Sequence, residues 1–189
     1  MRFENQRKEV MRWARLLNER GFVTARSGNM SYKIAPEKIL ITAHDSYLGH
    51  LEEEDVLLID SEGAVLEGKR ETTSEKSLHL DIHRAFADHE VILHAHPPFT
   101  VALFHYFESL DIFSFEAKFY LGNVAVIPQE SPTVTDTKPV VEALKGSQIV
   151  VLKDHGVVSV GKDFKEPFSL IELLEEQAKV NLTIRRVRP

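Results

Sequence analysis

The sequence predicts an α/β fold in which one sheet is covered by helices on both faces. Three observations carry this reading. Amphipathic stretches with an apolar repeat of three to four residues alternate with short runs rich in Val, Ile and Leu. Turn-forming residues separate them. The 189 residues, 43% hydrophobic and 28% charged, suffice for one packed core without a staple. Neither repeat, low-complexity tract nor linker interrupts the pattern, so residues 1–189 are expected to form a single domain.

Along the chain, Val10, Trp13, Ala14, Leu16 and Leu17 form the apolar stripe of a helix over 4–20, and Gly21 stops it. Strands over 31–34 and 38–42 flank Ala35-Pro36-Glu37. Strands over 56–60 and 64–67 flank Ser61-Glu62-Gly63, so each pair reads as an antiparallel hairpin. Near Thr73-Ser74-Glu75, hydroxyls that can cap and an acid that suits the positive end of a dipole start a helix running to about 87. The apolar run from Val91 leads a buried strand into His94-Ala95-His96, where Pro97 and Pro98 stop it. A helix over 99–107, a strand over 124–128 and a helix over 138–145 follow. Strands over 148–152 and 157–160 form a hairpin around His155, and an amphipathic helix over 166–186 closes the series.

With 29 acidic against 23 basic residues, the formal charge of -6 argues against a nucleic-acid partner. The basic run Arg185-Arg186-Val187-Arg188 reads as a solvated helix end, where cations favour the dipole. No stretch approaches the roughly 18 apolar residues of a membrane span, and the first eight residues are charged rather than apolar, so a cytoplasmic enzyme with no membrane partner is expected.

Chemistry concentrates at the histidines. Side chains repeat on one strand face every second residue, so His94 and His96 point the same way and suit one metal ion. His155, at the end of another strand, offers a third imidazole. With no cysteine in the chain, a transition metal must be held by His, Asp or Glu. Zinc with three protein ligands and one open position is the expected arrangement, and imidazoles also accept manganese, cobalt or iron. His79 and His83, four apart, could chelate on a helix, but they lack the His-Glu-x-x-His arrangement and a structural role is expected for both. His79 also lies one turn after Glu75.

Four local sequences, Ser27-Gly28-Asn29-Met30-Ser31, Thr72-Thr73-Ser74-Glu75, His94-Ala95-His96-Pro97 and Asp154-His155-Gly156, occur in an order and spacing that resembles the class II aldolase/adducin family over nearly the whole chain. The resemblance is to its L-fuculose-1-phosphate aldolase-like members. It implies a three-layer α/β/α sandwich around a mixed, largely antiparallel sheet, assembled as a C4 homotetramer with sites at subunit interfaces. It also implies that His94, His96 and His155 bind zinc, and that Glu75 is the acid/base group and can take the metal's fourth position. Gly28, Asn29, Thr42, Thr73 and Ser74 would bind a small sugar phosphate. The reaction implied is cleavage of a ketose 1-phosphate to dihydroxyacetone phosphate and an aldehyde through a metal-stabilised enediolate.

Three features depart from the family pattern. Many phosphate-using relatives carry Thr-Pro-Ser/Thr-Gly where this chain has Thr42-Ala43-His44-Asp45, and Asp45 would repel a phosphate unless His44 or Arg26 offset it. Glu116, in the run from Ser114 to Gly122, resembles the catalytic glutamate of the dehydratase branch and is a candidate second acid. No tyrosine follows Tyr120 to match those that close some aldolase sites. A sugar-phosphate dehydratase or decarboxylase of the same fold is therefore an alternative, and a non-catalytic adducin-like interaction module is another.

Overall fold

Side chains alternate across a strand, so each apolar run here serves two faces of a sheet. The computed structural model describes residues 1–187; Arg188 of the basic run lies outside the described residues. Eight strands form the sheet: β1 (Asn29–Ala35), β2 (Lys38–Thr42), β3 (Val56–Ile59), β4 (Val65–Glu67), β5 (Val91–Ala95), β6 (Ala125–Ile127), β7 (Ile149–Leu152) and β8 (Gly156–Gly161). Their order is β4-β3-β2-β1-β5-β8-β7-β6, and every neighbouring pair is antiparallel except β6 with β7. The sheet is mixed and largely antiparallel, as the resemblance implies.

Two helical layers cover it. On one face lie α1 (Glu4–Glu19), α3 (Pro98–Tyr106), α4 (Phe115–Tyr120) and α6 (Lys165–Val187); there Met30, Leu40, Leu93 and Val151 share a core with Val10, Leu17, Phe104 and Leu174. On the other lie α2 (Lys76–Ala85) and α5 (Lys138–Leu144), where Ile92, Val150 and Val158 share a core with Leu78, Ile82, Val140 and Leu144. Adjacent residues of β5, Ile92 and Leu93, thus belong to different layers.

Most elements lie within two or three residues of their expected bounds. Two differences matter. Helix α2 begins at Lys76 with Glu75 at its N-cap, so Thr73 and Ser74 belong to the approach rather than the first turn. Helix α4, 6 residues long and capped by the Ser114 hydroxyl, was not expected, because its large apolar residues Phe115, Phe119 and Tyr120 are exposed and only Ala117 is buried, so no apolar stripe marks it.

The sheet order explains how distant motifs meet. β5 runs between β1 and β8, pairing Asn29 with His94 and Ala95 with Val157. The chain just past β5 is held by His96 N–H donating to the Phe22 carbonyl at 2.7 Å. It then turns into α3, whose first residue is Pro98, which has no N–H to satisfy. The next two amides are capped from α6. Glu175, 8% exposed, accepts from Phe99 N–H at 2.9 Å, from Thr100 N–H at 2.7 Å and from the Thr100 hydroxyl at 2.8 Å. A carboxylate facing free amides at a helix start is doubly favoured, by charge-assisted hydrogen bonds and by the dipole. The same helix straps the following segment, as Gln177 accepts from Phe113 N–H at 2.8 Å and Asn181 from Asp111 N–H at 3.0 Å. These three buried polar residues interrupt the apolar stripe for a reason that lies in another element.

Replacing Glu175 with Gln turns an amine toward donors that need an acceptor. We expect Glu175→Gln to lower unfolding stability by roughly 1.5–3 kcal/mol, read as a shift in denaturant midpoint at unchanged slope; a midpoint equal to wild type would refute the capping role.

Candidate metal centre and active site

His94 is buried near the end of β5, His96 follows just past it, and His155 occupies the turn between β7 and β8. The three rings converge, with centroids 4.7, 4.8 and 4.9 Å apart, and one nitrogen from each lies within 4.8 Å of the others. His94 Nε2 and His96 Nε2 are 2.9 Å apart. On a tetrahedron with metal–nitrogen bonds of 2.0–2.1 Å, two ligand atoms sit about 3.3 Å apart, so the spacing is close to that of co-ligands.

Backbone geometry makes this convergence possible. An added Cβ at Gly156 would fall 2.8 Å from His96 Cδ2 and would run into the Ala95 carbonyl oxygen. Only a residue without a side chain lets the start of β8 approach the end of β5 so closely. Asp154, before His155, adopts the left-handed region at φ 61°, which an aspartate tolerates better than most residues. Gly28 plays the same part for the loop on the other side of the cleft. Its φ is 77°, and a Cβ there would lie 2.8 Å from the His94 carbonyl oxygen.

The donor set fits a divalent cation. Burial, then the neighbouring His94 and His155 rings, pushes the His96 pKa down to about 3. Burial and His94 push His155 to about 4. Both rings are thus neutral at neutral pH, the form that binds a metal. His94 Nδ1 lies 3.0 Å from the Val157 carbonyl oxygen, to which an N–H donates, leaving Nε2 free to ligate. His155 Nδ1 is buried with no hydrogen-bond partner among the described residues.

Glu75, 3% exposed, lies against this cluster, its Oε2 3.3 Å from His94 Nε2. Oε1 accepts from Val134 N–H at 3.1 Å and Oε2 from Asn29 Nδ2 at 3.2 Å. Burial alone would raise its pKa, but His94, the Val134 amide, the Asn29 amide and His155 together hold the carboxyl below its ordinary value. Val134 acts through its backbone and left no side-chain signal in the sequence. Pro132, which lines the cleft, was also not singled out.

A small cleft of ≈ 140 Å³ opens over the cluster, lined by Gly28, Asn29, Thr73, Ser74, Glu75 and the three histidines, with Arg26, His44 and Asp45 also on its wall. Arg26 Nη1 pairs with Asp45 Oδ2 at 3.2 Å, so the aspartate is offset as the sequence suggested. Thr42 is placed differently from the other candidate substrate residues. It is buried, its hydroxyl accepts from Met30 N–H at 3.2 Å, and it joins β2 to β1 beneath the cleft. Glu116 is exposed in the first turn of α4, outside the cleft, while Lys118 lies 5.9 Å from the Phe115 ring centroid. His79 and His83 are buried behind Glu75 and both bond to Ser31 rather than converge on a shared site.

The family model for the class II aldolase and adducin N-terminal domain matches residues 8–182. The chain belongs to the class II aldolase and adducin family. Within this family it is 34% identical over 177 residues, 93% of this chain and 95% of the relative, to a Methanocaldococcus jannaschii protein named L-fuculose phosphate aldolase. It is 28% identical to a 3-oxo-tetronate 4-phosphate decarboxylase of Haemophilus influenzae, over 95% of this chain and 88% of that one. The structure of L-fuculose-1-phosphate aldolase from Thermus thermophilus superposes with a TM-score of 0.85 at 27% identity, covering 96% of this chain and 94% of that one. The chain is a lyase-type member of the class II aldolase superfamily, and the His94, His96 and His155 cluster is where it could hold a metal ion. Among the described residues, no helix is long and apolar enough to cross a membrane.

Two outcomes follow. Gly156→Ala should weaken binding of a divalent ion such as zinc about 10- to 100-fold, because it separates His155 from His96; titration calorimetry giving the wild-type affinity would contradict this. His83 supplies a pH test. Burial, then His79 and Lys33, pushes its pKa to about 3, while the His89 carbonyl contact favours the charged form and the His89 ring opposes it. Its folded-state pKa is below the unfolded value of about 6.5, so below that pH the unfolded chain binds more protons and stability falls. Between pH 6.5 and 5, His83 should contribute about 2 kcal/mol of that loss. Denaturant midpoints in His83→Gln should show a correspondingly flatter pH dependence.

Proposed function

We propose that this protein is a zinc-dependent aldolase that cleaves a small ketose 1-phosphate, L-fuculose-1-phosphate-like, to dihydroxyacetone phosphate and an aldehyde. The observation that carries the reading is the buried Glu75 carboxylate set against three converging imidazoles at the floor of a cleft. Relatives named L-fuculose phosphate aldolase at 30–34% identity support the substrate class.

In this reading His94, His96 and His155 hold the ion, which when bound supplies Lewis-acid stabilisation of negative charge developing on the ketone oxygen. Gly28 and Asn29 on one side, Thr73 and Ser74 on the other, bind the phosphate and its neighbouring oxygens, with backbone amides and hydroxyls as donors. Thr42, engaged with β1, supports that wall from beneath. The bond between the carbons of the two products breaks and its electron pair stays with the dihydroxyacetone phosphate fragment. The hydroxyl of the departing carbon gives up its proton and becomes the aldehyde. The ionised Glu75 carboxylate takes up that proton and delivers it to the carbon of the dihydroxyacetone phosphate fragment, and its two fixed hydrogen bonds keep it aimed into the cleft. Its preorganisation costs no solvent rearrangement during reaction.

A dehydratase or decarboxylase reading draws on relatives with those names. It would need a second acid, and the exposed position of Glu116 on α4 does not favour that residue within its own subunit. An adducin-like interaction module has no use for the intact metal-binding set. We further infer that residues 1–189 work as a single cytoplasmic catalytic domain assembled as a C4 tetramer, in keeping with the family.

Zinc-loaded protein incubated with dihydroxyacetone phosphate and a panel of short aldehydes is expected to form ketose 1-phosphates. Glu75→Gln should reduce kcat by at least about 100-fold while leaving bound zinc, measured by elemental analysis, within twofold. No condensation across the panel with metal verified in the protein would overturn the aldolase assignment.

A further inference from the structure

Behind Glu75, between β1 and α2, four buried polar side chains form a file. Asn29 Nδ2 lies 3.2 Å from Glu75 Oε2, and Asn29 Oδ1 lies 2.6 Å from His79 Nε2. Ser31 Oγ lies 2.7 Å from His79 Nδ1 and 2.8 Å from His83 Nε2. The file needs both periodicities of the fold. Asn29 and Ser31 share a strand face two residues apart, and Glu75, His79 and His83 follow one another at successive turns along α2 and its cap.

Donor and acceptor rules give the file a single direction. A carboxylate only accepts, so Asn29 must turn its amine to Glu75 and its oxygen to His79. His79 therefore donates from Nε2. Burial keeps both histidines neutral, with pKa values of about 4 for His79 and about 3 for His83, so each ring carries one proton. His79 Nδ1 must then accept the Ser31 hydroxyl proton, and Ser31 must accept from His83 Nε2. The file ends at His83, whose unprotonated Nδ1 has no proton to give the His89 carbonyl oxygen 3.4 Å away.

We propose that Asn29, His79, Ser31 and His83 form one directional hydrogen-bond file whose sense is set by the acceptor at position 75, with His79 as the positioning residue that locks the Asn29 amide against Glu75. The role of Glu75 as acid/base group rests on the function proposed above; the direction of the file does not. Its value to the site is order. The carboxylate is held beside His94 by an amide that cannot turn over without reversing two imidazole tautomers and a hydroxyl.

That coupling makes a substitution at position 75 readable at His79 and again at His83, two and four residues along the file. Val134 N–H donates to Oε1, so a glutamine at this position keeps its oxygen there and turns its amine to Asn29. Asn29 then flips, His79 accepts at Nε2 and carries its proton on Nδ1, Ser31 donates to His83 Nε2, and His83 moves its proton to Nδ1, facing the His89 carbonyl.

The test is NMR of metal-free, full-length protein labelled with ¹⁵N-histidine at neutral pH, in which protonated and unprotonated ring nitrogens resonate in separate regions. Signals are assigned by their loss in His79→Gln and His83→Gln. In the wild type, both rings should be protonated on Nε2. In Glu75→Gln, both should shift to Nδ1. In Ser31→Ala, His79 should stay protonated on Nε2, because Asn29 still dictates it, while His83 is released to Nδ1. Rings that are merely packed would keep their tautomers in Glu75→Gln, and that result overturns the inference, as does a wild-type His79 protonated on Nδ1 or an unchanged His83 in Ser31→Ala. No substrate is needed. Absent aldol turnover with tautomers that switch removes the proposed function alone, and turnover with tautomers that do not switch removes this inference alone.

Discussion

Bringing three imidazoles and a carboxylate within a few ångströms of one another is the demand around which this molecule is arranged. Uncompensated, such a cluster is unfavourable, because burial strips water from four polar groups at once. Here each is answered. The Val157 carbonyl accepts from His94 Nδ1–H, two fixed donors hold Glu75, and burial keeps His96 and His155 neutral, so no like charges oppose their approach. His155 Nδ1 alone in this cluster is buried without a hydrogen-bond partner among the described residues.

The supports radiate from that point. β5, which carries His94 and leads into His96, sits between β1 and β8, and the β5–β8 register brings the turn bearing His155 to the end where His96 emerges. Gly156 and Gly28 let backbone pass where a methyl group would collide. One shell further out, Glu175 caps the helix that begins straight after the histidine pair and so fixes the direction in which the chain leaves the site. The buried polar residues on α6 answer backbone donors of the segments that follow the histidine pair, and those between β1 and α2 back Glu75 and Asn29.

Relatives with aldolase and decarboxylase names on one fold show that the frame does not dictate the reaction. What distinguishes reactions is the group facing the substrate. In this chain Arg26, His44 and Asp45 line the cleft beside the three histidines, where the Arg26–Asp45 pair gives that wall its own charge pattern.

From the sequence alone came the strands and longer helices, the His94-Ala95-His96 pair, His155, Glu75 and the loop at Gly28, because each is written in local periodicity, turn residues or a spaced motif. Helix α4 has no apolar stripe to announce it, and the N-cap at Glu75 was displaced from Thr73 by the approach segment. The placement of Thr42 beneath the cleft, the exposure of Glu116, the Val134 amide and the capping by Glu175 were settled only by tertiary structure. The physical reason is common to all of them. Strand order and register join residues that are far apart along the chain, and a side chain's partners depend on which element lies across from it, a quantity no local pattern encodes.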